Sequence, residues 1–185
     1  MRVKKVSLLM VAIVMAFGLL ACNSKVSTEP IPQPTTEQEK TGTSGVTCDK
    51  LVTSFEEIIE PIADQFKITK LDDVTVDDGR ICTPVVVSDR STDKTYHIHI
   101  YATQDGDVDV VLMNTERGNR TELNFALLSF YLYKSVGCSE KEAQEFYDYF
   151  KLLTEEPAGH MEEDGWAIDV IALSEILTIG YTYGS

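Results

Sequence analysis

The chain has 185 residues and carries 30 Asp and Glu against 16 Lys and Arg, a formal net charge of −14. So acidic a polymer is repelled by nucleic acid and by anionic lipid surfaces, and it favours cationic ligands, metal ions or basic partners. The length and the 43% hydrophobic content are enough for one domain with a substantial core.

Arg2, Lys4 and Lys5 open the chain, and Leu8 to Ala21 is apolar without a charge. A membrane-spanning helix needs about 20 apolar residues, and this run is shorter. A basic start, a short apolar core and a small residue before a cleavage point describe a secretory signal peptide. The run ends in Leu19-Leu20-Ala21-Cys22, which resembles the lipobox of bacterial lipoproteins. The resemblance implies cleavage before Cys22 and a lipid on its sulfur. It also implies a place on the bacterial cell membrane or outer membrane, with the rest of the chain facing away from the cytoplasm. More than one acyl chain is what makes such anchoring stable, each buried methylene contributing about 0.8 kcal/mol. The division expected is thus a signal peptide over 1–21, a lipidated Cys22 with a tether over 22–47, and a globular domain over 48–185.

The tether, rich in Ser, Thr, Pro, Gln and Glu and free of aromatic residues, has too little apolar surface to offset its chain entropy. As a coil it would span about 25–30 Å, and fully extended about 80 Å.

From Cys48 the residues Leu51, Val52, Phe55, Ile58, Ile59, Ile62, Ala63 and Phe66 recur at helical spacing. The spacing predicts an amphipathic helix kinked at Pro61. Three strands follow, at Ile81–Ser88, Thr95–Thr103 and Asp109–Thr115, separated by polar turns; Val74–Val76 adds an edge. Asn119 and Glu122 form a capping pair ahead of an apolar helix that Gly137 ends. Ser139 with Glu142 opens a second helix running to Phe150 or slightly beyond. The segment Thr154–Gly165 reads as an acidic loop, and Trp166–Leu173 and Ile176–Gly184 as two more strands about a Ser174-Glu175 turn. The expected fold is α+β: an antiparallel sheet of about five strands with helices mainly on one face, in the order α-βββ-αα-ββ.

His97, His99 and Tyr101 share one face of their strand, with Ile98 and Ile100 on the other. Two histidines so placed can supply zinc ligands, with a third from His160 or a carboxylate from Glu162, Glu163 or Asp164; a divalent cation is the one cofactor this pattern admits. Asp105, Asp107, Asp109 and Glu116 mimic a calcium loop, but Val110 stands where that loop needs Gly, so Asp105-Gly106 reads as hairpin chemistry. Cys48, Cys82 and Cys138 allow three disulfide pairings, each leaving one thiol over. Cys138 precedes a helix start, a position that stabilises a thiolate. Arg117 and Arg120 flank a helix start and could hold an anion, or bridge to carboxylates. The later helices carry more aromatic residues than one core stripe needs; Tyr131, Tyr133, Tyr147 and Tyr149 are the binding candidates among them. No nucleophile elbow, phosphate loop or zinc-ribbon spacing occurs. The leading functional expectation is a lipid-anchored, non-catalytic module that binds an envelope protein or an extracellular ligand. The alternative is a small metal-binding protein or metal-dependent enzyme using His97 and His99.

Overall fold

A computed structural model describes residues 43–118, 121–138, 141–155 and 158–184. The α-helices are α1 (Cys48–Ile59), α2 (Thr121–Ser135) and α3 (Ala143–Glu155). The strands are β1 (Phe66–Lys70), β2 (Val74–Thr75), β3 (Ile81–Asp89), β4 (Lys94–Ala102), β5 (Val108–Glu116), β6 (Ala158–Glu163), β7 (Trp166–Ala172) and β8 (Ile176–Tyr183). All eight strands join one antiparallel sheet in the order β1-β3-β4-β5-β8-β7-β6, with β2 also pairing β3. The α+β expectation therefore holds, while the strand number of about five is corrected to eight.

The first helix begins where Thr47 caps it, its hydroxyl accepting from Lys50 N at 3.4 Å. Leu51, Val52, Phe55 and Ile59 form its buried stripe. At Pro61 the chain tightens into a single 3₁₀ turn, Glu60–Ile62, because proline suits the first turn of such a segment and cannot continue the α-helix. Phe66 consequently leaves the helical stripe and becomes the first residue of β1, buried against Tyr96 with ring centroids 6.5 Å apart.

The meander β3-β4-β5 follows its polar turns. Gly106, at φ +90°, closes the β4–β5 turn with its N–H on Thr103 O at 2.9 Å. Asp109 and Glu116 belong to extended strand, so the four acidic residues do not form a calcium loop. The chain then crosses the sheet through α2 and α3 and returns as the second meander, β6-β7-β8, which enters beside β5.

α2 is buried on nearly every side, from Thr121 and Asn124 through Phe125, Leu128 and Leu132 to Ser135. It packs against α1, α3, β5 and β8. Its C-terminus is a Schellman turn: Cys138 N donates to Tyr133 O and Gly137 N to Lys134 O, with Gly137 at φ +98°. Cys138 thus lies at the end of α2, not at the start of α3. The capping residues Asn119 and Ser139 lie outside the described residues.

Alternation along the strands puts the core on the helix-covered face. Val85, Ile98, Met113, Ile179 and Val170 sit across from one another in register and are all buried. α1, α2 and α3 cover this side, α3 reaching β6 and β7. Among the described residues no helix is long and apolar enough to cross a membrane.

Candidate functional site

The residues opposite the core form a sheet face that nothing covers among the described residues, and its geometry follows from strand register. One row runs Cys82, Tyr101, Val110, Thr182, Ala167, Glu162. The next runs Pro84, His99, Leu112, Gly180, Asp169, His160. The third runs Val86, His97, Asn114, Thr178, Ile171, Ala158. Most of these side chains are half-buried among their neighbours, with His97 exposed. On β3, β4, β5 and β8 the three rows contain no Asp, Glu, Lys or Arg. Charge returns on β7 and β6, with Asp169 and Glu162, and at the ends of the strands, where Arg80 reaches over Tyr101.

His97 and His99 do share this face with Tyr101. Burial, and then the neighbouring His97, push the His99 imidazole below its ordinary range, so it is neutral at neutral pH. Its Nδ1 lies 3.9 Å from the Cys82 sulfur. Burial also pushes the Cys82 thiol up, so the two meet as neutral groups rather than as a thiolate–imidazolium pair. Arg80 lies over the Tyr101 ring at 5.2 Å and is held by Asp78 and Asp109. At the other end of these rows a depression of about 450 Å³ is bordered by Lys94, Thr95, His97, Asn114, Glu116 and Ile176 among others.

His160 does not complete a metal site with His97 and His99. It lies on β6, four strands from β4, or about 19 Å at the usual strand spacing. It instead binds Asp169, Nδ1 to Oδ1 at 2.7 Å, with Glu162 at 3.5 Å from Nε2. Burial opposes the charged ring, but the Asp169 bond and the two carboxylates hold its pKa above the ordinary value. Glu163 faces the core and is engaged by Tyr133 and Lys141. Among the described residues no group of three or more His, Cys, Asp or Glu is placed to hold a metal ion.

Of the four aromatic candidates, Tyr133 serves as packing. Tyr133 is fully buried and donates to Glu163 Oε1 at 2.6 Å, accepting in turn from Lys141 N at 3.2 Å. Its ring meets Phe146 at 5.0 Å, and Phe130 meets Phe146 at 5.5 Å. These contacts join α2 to α3 and account for the aromatic excess. Tyr131 is half-buried, Tyr147 is 37% exposed, and Tyr149 lies in α3 with its side chain outside the described set. Arg117 binds Glu122 at 2.6 Å and the Leu173 carbonyl at 3.1 Å, so the carboxylate-bridging alternative describes it. Arg120 and Cys22 lie outside the described residues, and among the described residues no disulfide joins Cys48, Cys82 and Cys138 to one another.

The residues that sequence reasoning missed are those that complete the face from other strands: Val86, Leu112, Asn114 and Thr178. Each alternates with buried residues in its own strand, which was the available signal, but nothing local says that β8 lies beside β5. No family model, curated protein or solved structure matches this chain.

Proposed function

We propose that the chain is a lipid-anchored extracytoplasmic interaction module, held at the membrane through Cys22, whose uncovered sheet face is its docking surface. The lipobox-like segment and the polar tether support the anchoring half of this reading. The observation that carries the docking half is the uncharged field across β3, β4, β5 and β8 in a chain of net charge −14. Among the described residues no helix covers this face, and its lack of formal charge sets it apart from the acidic remainder of the surface. Binding rather than catalysis fits it, because among the described residues no carboxylate is placed to orient His97 or His99 and the Cys82–His99 pair is neutral.

Two measurements test the two halves. Fatty-acid labelling of the expressed protein is expected to disappear in Cys22→Ser, and label that persists in that variant would refute the anchor. A photo-reactive side chain placed at His97 is expected to capture a macromolecule in the native membranes, whereas the same group at Glu57, on the outer side of α1, is not. Capture from Glu57 alone, or from neither site, would refute the docking face.

A further inference from the structure

We infer that the occupant of the uncovered face is a second copy of this chain, the two sheets packing face to face as an isologous dimer. The inference rests on the docking reading above and adds the identity of the partner.

Charge distribution selects the partner. The outer surfaces of the helices and the loops carry the acidic excess: Asp49, Glu56 and Glu57 on α1, Glu145 and Asp148 on α3, Asp72, Asp77 and Asp105 in the turns. Two copies meeting through any of those surfaces would place like charges together, which costs several kcal/mol. A basic partner, conversely, would be drawn to those acidic surfaces and would find no counter-charge in the central rows of the sheet face. The bare face is where two equally acidic molecules can approach, and a two-fold contact demands such self-compatibility of one patch.

Shape and size agree. Gly180, Ala167, Thr178 and Thr182 keep the middle of the face low, which permits the spacing of about 10 Å at which stacked sheets pack. Leu112, Val86 and Ile171 stand up around it as apolar contact points. The six strands from β3 to β6, six to nine residues long, cover roughly 25 by 25 Å, the uncharged rows on β3, β4, β5 and β8 filling about two thirds of it and the charged margin on β7 and β6 the rest. That is on the order of 600 Å² in projection, more when side-chain relief is included, against about 800 Å² per partner in a standard stable interface. The charged margin at His160, Asp169 and Glu162 lies where a polar rim belongs.

The experiment co-expresses two differently tagged full-length chains and measures how much of one is recovered with the other from detergent-solubilised membranes. The tagged partner is expected in the recovered fraction. His97→Glu, at a position already exposed and so harmless to folding, brings like charges together and is expected to lower recovery by at least about tenfold. Leu112→Glu should do the same, with its melting temperature checked against the parent. Glu57→Lys on the outer helix surface should leave recovery unchanged. Absence of co-recovery, or co-recovery that survives His97→Glu, overturns the inference. Capture of a different protein from position 97 with no co-recovery overturns the dimer while leaving the docking reading intact.

Discussion

Replacing Asp89 with Ala should be among the most damaging single changes available in this fold. Asp89 ends β3 at 1% exposure. Its Oδ1 accepts from Ser91 N at 2.8 Å and Ser91 Oγ at 2.7 Å, and its Oδ2 from Thr92 Oγ1 at 2.7 Å and Asn124 Nδ2 at 2.5 Å. One carboxylate thus shapes the β3–β4 turn and ties it to the first turn of α2. Ser91 is exposed and Thr92 half-buried, so water replaces much of what they lose, at about 0.5–1 kcal/mol per bond. Asn124 is 9% exposed and would be left with an unmet amide, at about 1.5–3 kcal/mol for a bond to a charged group. Together the loss is about 3–6 kcal/mol, a large share of the 5–15 kcal/mol typical of a domain. Urea unfolding with a shared m-value measures it, and a loss below about 1 kcal/mol would refute this account. The pH dependence follows. Burial works to raise the Asp89 carboxyl, but the bonds from Thr92, Ser91 and Asn124 hold it below the usual carboxylate value. A carboxyl lowered on folding contributes stability that is present above its unfolded pKa and lost as pH falls through its folded pKa. Asp89→Asn should therefore flatten the acid side of the stability profile, and an unchanged acid limb would count against the carboxylate as its source.

Tyr133→Phe removes the donor to Glu163 while Lys141 stays paired with that carboxylate at 2.8 Å; the expected cost is about 1–2 kcal/mol in urea, and no change would mean the hydroxyl is dispensable. In an NMR titration His160 should hold its proton to higher pH than His99, and Asp169→Asn should lower the His160 midpoint. Because folding raises the His160 pKa, its stabilising contribution is present below the ordinary histidine value and fades as pH rises through the folded one; an unmoved midpoint in Asp169→Asn would refute the pairing. Gly165→Ala, at φ +80° with the Tyr183 ring 3.0 Å from where its Cβ would fall, should cost about 1–2 kcal/mol, and an unaltered urea midpoint would show that the β6–β7 turn relaxes freely.

The first meander was legible because its residues obey period two without interruption: Ile98 and Ile100 point inward, and His97 and His99 outward, as the alternation requires. β6 was not. Gly159, His160, Glu162 and Glu163 are poor strand formers, and their acidity reads as loop. They pair because β7 offers an edge and because Glu163 finds Tyr133 and Lys141 across the core, neither of which is local. Asp164-Gly165, with φ of 51° and 80°, carried a hairpin signal that the surrounding charge concealed. The burial of Tyr133 was hidden for the converse reason. A helix covered on both sides needs apolar residues all round, and periodicity alone cannot distinguish such a helix from one with a sticky outer surface. The candidate face was half legible. The β3, β4 and β5 contributions belong to a local meander, while the β8 and β7 contributions depend on a pairing between segments sixty or more residues apart.

The insertion of β8 between β5 and β7 governs how this chain can fold as it emerges. While synthesis proceeds from the N-terminus, β1 to β5 and α1 are available early, but β5 keeps a bare hydrogen-bonding edge until β8 arrives. The β6–β7 hairpin waits likewise, with no neighbour on one side. Because the β5–β8 pairing joins segments sixty or more residues apart, closing the sheet is slow relative to the folding of helical proteins of this size. The open edge of β5 is then exposed to any other strand during that interval. Loss of β8 would sever the sheet into two fragments, and neither could close over the shared core.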